Sequence, residues 1–249
     1  MILLAIGLAS LRMPADGPSR ALIVADEIPA MRVLAERMQA LEGVESTIVE
    51  QRAMPGDLTA FDAVVVYIHG RLEPAAETEF LRYVEGGGKL VLLHHSISSG
   101  KRSNRDWFRK LGVELPEEDV EQGGYKWIEG VTLTVVNLAP RHFITHNKVS
   151  FPERIAYSDR TRKAGTRPAV SLRESEVYIN HRLTGRRTTL LGFRYTDAAT
   201  GRTWMQPTAG WTMSLGKGRV VYLMPGHTAD EFRDPTYARL VTNAVIWKP

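Results

Sequence analysis

The chain has 249 residues, of which 43% are hydrophobic and 24% charged, and it carries a formal net charge of +4. This composition is typical of a globular protein, and the length suits one large α/β domain or two small ones. Because the 32 basic residues are scattered among 28 acidic ones, the small positive charge does not indicate a nucleic-acid partner. The sequence contains no cysteine, which excludes disulfides, thiolate metal sites and a cysteine nucleophile.

The N-terminal segment differs in composition from the rest of the chain. Residues 1–11 are apolar and residues 12–20 are polar, with two prolines and one glycine. The apolar part is too short to span a bilayer, so we expect no stable membrane insertion. Its length fits a secretory signal without the usual basic start, which would make the protein periplasmic or secreted; a tail in a cytoplasmic protein is the alternative. We expect residues 1–19 to form this segment and residues 20–249 to form a single domain.

The first part of the chain alternates apolar runs with helical patterns. We predict strands at residues 21–25, 44–49, 61–68 and 89–93, and helices at residues 28–41 and 74–85. The run at residues 89–93 lies between glycines and a polar segment, which is typical of a strand buried on both faces. This order of elements predicts an α/β fold of three layers, with a mainly parallel sheet between helices.

The second part of the chain is predicted to be more varied. We expect a short helix at residues 104–111, a surface loop at 116–130, a strand at 131–136, an irregular basic segment at 139–167, strands at 176–181, 188–195, 204–215 and 219–224, and a closing helix after Asp234 and Pro235. Turn segments separate the strands between residues 176 and 215. They indicate antiparallel hairpins appended to the parallel sheet.

Histidines follow the predicted core strands. Four of the seven, His69, His94, His95 and His227, come within three residues of the end of such a strand. The carboxyl ends of parallel strands share one edge of a sheet, where ligands bind, so we expect these imidazoles to converge. Because successive strand residues point to opposite faces, His94 and His95 cannot both aim at one point unless the strand has already turned. We therefore expect one of them to face the crevice and the other to pack or hydrogen-bond as support. A carboxylate such as Glu176 would complete a three-ligand site for a divalent metal ion, although the sequence has no HExxH motif.

Other kinds of site are disfavoured by missing patterns. Ser96 follows a strand, but the G-x-S-x-G pattern of a serine nucleophile is absent. No P-loop is present and no G-x-G-x-x-G follows the first strand, so we expect no nucleotide cofactor. His142 and His146 are four residues apart, but their neighbours do not favour the helix that would bring them together. Trp204 and Trp211 are expected in the core, with a platform for a sugar ring as the alternative.

Several motifs together resemble the ThuA-like family, which is associated with trehalose utilisation and belongs to the class I glutamine amidotransferase-like superfamily. The most specific are GGGKLVLLHHSIS at residues 86–98 and GKGRVVYLMPGH at residues 216–227. Residues 142–145 resemble the family's His-Pro-Ile-Thr element with phenylalanine for proline, and residues 175–178 resemble its Asp-Glu-x-Tyr element with serine for aspartate. The resemblance covers residues 20–247 and implies a flavodoxin-like fold.

The glutaminase chemistry of that superfamily does not carry over to this chain. Amidotransferases place a cysteine where this chain has His94, His95 and Ser96. They also place a glutamate two residues after a late histidine, whereas here Ala229 follows His227 at that distance. Because the chain has no cysteine, glutaminase activity is excluded, and only the scaffold and the location of the site are implied.

These observations lead to the hypothesis of a carbohydrate-processing hydrolase, lyase or isomerase acting on a sugar or glycoside. The candidate catalytic residues are His94, His95, Glu176 and His227. The candidate substrate-binding residues are His69, His142, Tyr178, Trp211 and Gly226. Histidine suits proton transfer near neutral pH, and a carboxylate beside it fixes its tautomer and basicity. The alternatives are a non-catalytic sugar-binding protein and a metal-dependent hydrolase.

Overall fold

The computed structural model describes residues 17–248, in which a large mixed sheet is covered by helices. The apolar segment at residues 1–11 lies outside the described residues. The strands are β1 (Arg20–Ala25), β2 (Glu45–Val49), β3 (Ala63–Tyr67), β4 (Lys89–Leu93), β5 (Val113–Glu114), β6 (Lys126–Asn137), β7 (Glu153–Asp159), β8 (Arg162–Ile179), β9 (Arg182–Leu183), β10 (Thr188–Thr196), β11 (Thr203–Leu215) and β12 (Gly218–Leu223). The helices are α1 (Ile28–Glu42), α2 (Pro74–Glu85), α3 (Arg105–Leu111), α4 (Phe143–His146), α5 (Ala229–Arg233) and α6 (Pro235–Ile246). Between residues 17 and 248, no helix has the length and apolar character needed to cross a membrane.

Five neighbouring strands form the parallel half of the sheet, in the order β2-β1-β3-β4-β12. Every residue of β3 and β4 is buried, because helices cover the apolar side chains that leave these strands. Helix α2 packs against β4 and β12, and α6 packs against β3 and β4. The predicted parallel sheet is therefore confirmed, and α2 and β4 have the predicted bounds.

The register of the parallel strands brings three histidine-bearing segments to one edge of the sheet. Leu93 of β4 pairs with Leu223 of β12, and Val66 of β3 pairs with Leu92 of β4. The three strands therefore end at nearly the same level. The predicted histidines follow within a few residues of these ends, which confirms that they share the carboxyl edge.

The other half of the sheet is antiparallel. Strands β11, β10, β6, β8 and β7 follow β12 in that order. Strand β8 has 18 residues, and its last part pairs with the start of β6, so that Tyr178 lies opposite Trp127. This pairing extends the antiparallel half far enough to place Glu176 of β8 beside the end of β4, in contact with His94.

Two predictions for this half of the sheet are wrong. The sequence predicts a surface loop at residues 116–130, but β6 begins at Lys126. It predicts irregular structure at residues 139–167, but this segment holds α4, β7 and the start of β8. In β7, exposed residues alternate with partly or fully buried ones, so this strand lacks the continuous apolar run that marks a core strand.

Candidate functional site

The histidine pair occupies a tight turn directly after β4. The strand ends at Leu93, and residues His94–Ile97 form one turn of 3-10 helix in which His94 has a positive φ of 45°. This conformation is unfavourable for a residue with a side chain, so surrounding contacts must hold it. Because the chain turns here, the two imidazoles lie together, with ring centroids 4.1 Å apart. The chain has therefore turned before the pair, which is the condition under which both rings can approach one point.

Buried hydrogen bonds hold this turn in place. The Tyr222 hydroxyl donates to the carbonyl oxygen of His94 at 3.2 Å. The Ser96 hydroxyl lies 2.6 Å from the carbonyl oxygen of Val66, and the Trp107 indole N–H donates to the carbonyl oxygen of Ser96 at 2.8 Å. Ser96 is fully buried, so its hydroxyl stabilises the turn and is not placed for attack on a substrate.

The carboxylate of Glu176 contacts three other side chains of the candidate site. Its Oε2 lies 2.8 Å from Nε2 of His94, 3.0 Å from the Tyr178 hydroxyl and 3.3 Å from Nδ1 of His227. Glu176 and Tyr178 reach the same pocket because residues two apart on a strand share a face. Nδ1 of His94 lies 2.6 Å from the carbonyl oxygen of Met224, so both nitrogens of this ring face acceptors.

His95 differs from its neighbour because one of its nitrogens is unpaired. Its Nδ1 lies 2.8 Å from the Tyr178 hydroxyl, whereas its Nε2 is buried and has no hydrogen-bond partner among residues 17–248. The exposed ring of His69 packs against it with centroids 3.8 Å apart, and Nδ1 of His69 lies 3.3 Å from Oε1 of Glu27. With the proton on Nδ1, the lone pair on Nε2 is free to accept a proton or to bind a metal ion.

The loop after β12 positions His227. Gly226 has a φ of 118°, and a Cβ there would lie 2.8 Å from a buried aromatic ring, so this turn requires glycine. The Glu231 carboxylate accepts three successive backbone N–H groups, including that of His227 at 2.5 Å. The Tyr67 hydroxyl donates to the carbonyl oxygen of Gly226 at 2.7 Å. The backbone polar groups of Gly226 are thus bonded within the protein, and the His227 ring is held with 21% of its side chain exposed.

Two residues that the sequence analysis missed fix the backbone of the site. The buried ammonium of Lys101 donates to the carbonyl oxygens of Ile68, His69 and His95 at 2.5, 3.1 and 2.9 Å, and burial lowers its pKa to about 7. The backbone N–H of His69 donates to the Asp26 carboxylate at 2.8 Å. Asp26 follows β1 at the same sheet edge, which is a usable signal, whereas no pattern in the sequence marks Lys101.

The surroundings shift the pKa values of His95 and His227 in opposite directions. Burial, together with the neighbouring imidazoles, lowers the pKa of His95 far below its ordinary value of 6.5. The adjacent Glu176 carboxylate raises the pKa of His227 above that value. Burial alone would raise the pKa of Glu176, but the imidazoles of His227 and His94 hold it well below its ordinary value of 4.5. Near neutral pH, the pocket therefore combines a neutral His95, an ionised Glu176 and a His227 biased toward the protonated form.

Two overlapping groups of side chains could hold a metal ion. In one group, the donor atoms of His94, His95, Glu176 and His227 lie within 4.8 Å of one another, and in the other those of Glu27, His69 and His95 do. Imidazole nitrogens with a carboxylate suit a divalent transition metal. His95 belongs to both groups, and its Nε2 is buried without a hydrogen-bond partner among the described residues.

Two predicted substrate-binding residues lie elsewhere. Trp211 is fully buried, with Arg187 over its ring at 4.5 Å, so it belongs to the core and the structure does not bring it to the cluster. The half-buried ring of His142 lies 5.0 Å from that of Trp247, and its Nδ1 accepts a hydrogen bond from the first turn of α4. The prediction that this segment is not helical is wrong, because a side-chain cap supports the short helix Phe143–His146.

Comparison with known proteins identifies the family and supports the fold. The family model ThuA, described as trehalose utilisation, matches residues 20–248. A ThuA-like protein from Bacteroides uniformis has a TM-score of 0.62 and 17% identity, covering 92% of this chain and 91% of that one. A cytoplasmic protein from Salmonella typhimurium has a TM-score of 0.57 and 13% identity, covering 90% and 97% respectively. A β-galactosidase from Bacillus circulans sp. alkalophilus has a TM-score of 0.55 and 12% identity, covering 91% of this chain and 30% of its own.

Identities this low establish likeness of fold alone. Among curated proteins, none matches the chain. The family model, by contrast, spans nearly all of the described residues and agrees with the motifs at residues 86–98 and 216–227. The chain therefore belongs to the ThuA family of trehalose utilisation.

Proposed function

We propose that this protein is an enzyme of carbohydrate metabolism. It would act by general acid–base catalysis on a sugar or glycoside bound at the carboxyl edge of the sheet. The observation that carries the proposal is the cluster of His94, His95, Glu176 and His227, whose donor atoms lie within 4.8 Å of one another. Gathering several ionisable groups in a largely buried pocket costs folding free energy, and such clusters are concentrated at functional sites. The family description favours a disaccharide of the trehalose type as substrate.

In this proposal His95 is the general base and His227 is the general acid. His95 has an unpaired Nε2, and its lowered pKa keeps it neutral at pH 7. His227 lies at the open side of the pocket and holds its proton through Glu176. The two ring centroids are 5.9 Å apart, so different atoms of one substrate could contact the two rings. The two histidines thus supply the two groups that acid–base catalysis uses, a free lone pair on Nε2 of His95 and a proton held on His227.

The scaffold assignment is part of the proposal. The parallel strand order β2-β1-β3-β4-β12 supports a flavodoxin-like, class I glutamine amidotransferase-like sheet. In such a sheet the binding crevice opens where the strand order reverses, between β1 and β3. Glu27 follows β1 and His69 follows β3, so the rim of the candidate site coincides with that crevice.

The test is turnover of trehalose and related glucosides, including oxidised derivatives, followed by proton NMR. We expect His95→Ala and His227→Ala to lower turnover by a factor of about 100 or more, as removal of a general acid or base does. His146→Ala is the matched control, since His146 is an exposed histidine on α4 and should leave turnover unchanged. Unchanged turnover in both site variants would reject the assignment. Saturable sugar binding without turnover by the wild type would identify a non-catalytic sugar-binding protein instead.

A metal-dependent hydrolase is the second candidate. The two overlapping donor groups that share His95 favour it, because each combines imidazoles with a carboxylate. Elemental analysis of the purified protein separates the two candidates. A stoichiometric transition metal whose removal by a chelator abolishes turnover supports the metal enzyme, and full turnover by metal-free protein rejects it.

A further inference from the structure

An exposed tryptophan lines a cleft beside the candidate site. The side chain of Trp127 is 49% exposed, which is unusual for an indole. It shares a cleft of about 490 Å³ with Ser99, Arg102, Tyr125 and Lys126. This volume is in the range of small-molecule sites. These five residues are called the Trp127 cleft below.

The Trp127 cleft adjoins the histidine cluster through two neighbouring tyrosines. The ring centroids of Tyr125 and Tyr178 are 6.1 Å apart, and the Tyr178 hydroxyl lies 2.8 Å from Nδ1 of His95. Trp127 is paired with Tyr178 across β6 and β8, and residues directly opposite in an antiparallel pair share a face of the sheet. Ser99 follows the histidine-bearing turn by two residues. The cleft and the cluster are therefore neighbours, joined through the rings of Tyr125 and Tyr178.

Strand β6 provides a second link between the two regions. Glu129 lies two residues after Trp127 on this strand. It is close enough to His227 to contribute to the raised pKa of that histidine, after the larger effect of Glu176. The strand that carries the exposed indole therefore also places a carboxylate near His227.

The base of the Trp127 cleft is preformed. The backbone N–H of Tyr125 donates to the carbonyl oxygen of Pro116 at 2.8 Å. The side-chain amide of Asn180 donates to the carbonyl oxygens of Val120 and Gly124 at 3.1 and 2.9 Å. These bonds fix the segment before β6, so a ligand in the cleft would not have to order it.

The charges of the cleft favour a neutral ligand. Nη1 of Arg102 lies 3.0 Å from a Glu117 carboxylate oxygen, and Lys126 is near enough to Asp197 to act on its charge. Each cation therefore has an acidic neighbour, while its remaining N–H groups can donate to hydroxyl oxygens. The indole of Trp127 offers an apolar face against which the C–H groups of a sugar ring can stack.

We propose that the Trp127 cleft binds a second, neutral sugar ring of the substrate, next to the ring that is held at the histidine cluster. This inference rests on the proposed function, because it assigns the cleft to the same carbohydrate substrate. It predicts that the protein prefers a disaccharide to a monosaccharide, and that Trp127 is the source of this preference.

The test compares the binding of trehalose and glucose by isothermal titration calorimetry. We expect the wild type to bind trehalose at least tenfold more tightly than glucose. Trp127→Ala should weaken trehalose binding about tenfold and glucose binding less than twofold, and Trp127→Phe should restore most of the loss. Trp204→Ala is the matched control, because the Trp204 ring stacks on Tyr195 at 5.7 Å and lies under Arg202 at 4.7 Å. Trp204 therefore has no free face for a sugar and its removal should not alter the preference.

Several results would overturn the inference. In Trp127→Ala, these are an equal loss of affinity for both sugars, or no loss of affinity for either. In the wild type, they are equal affinity for both sugars, or no binding of either. The outcome is separable from that of the proposed function. If Trp127→Ala selectively weakens trehalose binding while His95→Ala and His227→Ala keep full turnover, the cleft assignment stands and the catalytic assignment fails.

Discussion

His94 and Glu176 are 82 positions apart in the chain, yet Nε2 of His94 lies 2.8 Å from Oε2 of Glu176. The contact joins the turn after β4, in the parallel half of the sheet, to β8 in the antiparallel half. Glu176 is buried and ionised, and breaking the contacts of a buried charge costs about 3–5 kcal/mol. The contact therefore couples the integrity of the candidate site to the stability of the fold.

Glu176→Gln should impair both stability and turnover. The amide keeps the size of the side chain but removes the charge that holds the proton on His227. We expect the free energy of unfolding in urea to fall by about 3 kcal/mol, and turnover at pH 7 to fall by a factor of about 100. Glu153→Gln is the control, since Glu153 bonds to Ser171 on the outer strands at 2.9 Å. Equal behaviour of the two variants would contradict the role given to Glu176.

Tyr178→Phe tests whether the Tyr178 hydroxyl positions His95 and Glu176 for turnover or only stabilises the fold. The ring is retained, but the hydroxyl that lies 2.8 Å from His95 and 3.0 Å from Glu176 is lost. We expect a loss of about 1–3 kcal/mol in the free energy of unfolding, because buried polar atoms lose a partner. Turnover should fall about tenfold or more, with a change in kcat that exceeds the change in KM. A variant with lower stability and unchanged kcat would assign Tyr178 to the fold alone.

Gly226→Ala should destabilise the loop that holds His227. The backbone has a φ of 118° there, and an added Cβ would lie 2.8 Å from the Phe232 ring. We expect a loss of about 1–3 kcal/mol in the free energy of unfolding, measured by chemical denaturation. Gly165→Ala is the matched control, because no atom lies within 4 Å of the Cβ position at Gly165. If both substitutions have the same small effect, the requirement for glycine at position 226 is refuted.

Lys89 should make stability depend on pH in the alkaline range. Its ammonium is buried and donates to the carbonyl oxygens of Val245 and Trp247, and burial lowers its pKa from 10.5 to about 8. Below pH 8 both the folded and the unfolded chain are protonated at Lys89, so the penalty of burying the charge is constant. Between pH 8 and pH 10.5 the unfolded chain binds more protons, so this group makes stability rise with pH.

Urea unfolding of the wild type and of Lys89→Met at several pH values isolates this contribution. The stability of the wild type relative to the variant should rise between pH 8 and pH 10.5 by on the order of 3 kcal/mol. Subtracting the unfolding free energy of the variant from that of the wild type removes the effects of the other groups that titrate in this range. A difference that is constant with pH would contradict the assignment.

The location of the site could be predicted from the sequence because strand ends are marked by short-range patterns. The apolar runs before His69, His94 and His227 identify buried parallel strands, and parallel topology brings their carboxyl ends to one edge. The detailed geometry at the edge was not accessible in this way. Strand alternation predicts that His94 and His95 diverge, but the 3-10 turn at His94 brings both rings into one pocket.

Contacts that depend on long-range pairing were the hardest to predict. Lys101 binds three carbonyl oxygens of the site, but a lone lysine in a polar segment is normally exposed. Glu231 follows Thr228 by three residues, which is the spacing of a capping box and indicates the start of a helix. This spacing does not reveal that the same carboxylate also holds the backbone N–H of His227. Trp127 falls in a segment that was predicted as a loop, since the exposed start of β6 has no core pattern.

His95 and His227 share one pocket, and their pKa values are shifted from 6.5 in opposite directions. Long-range ¹H–¹⁵N correlation spectra of protein labelled at histidine, recorded from pH 5 to pH 8, report the state of each ring nitrogen directly. We expect His95 to remain neutral with its proton on Nδ1 throughout, and His227 to titrate above 6.5 and to lose this shift in Glu176→Gln. A protonated His95 at pH 6, or a His227 that titrates identically in the wild type and in Glu176→Gln, would contradict the account.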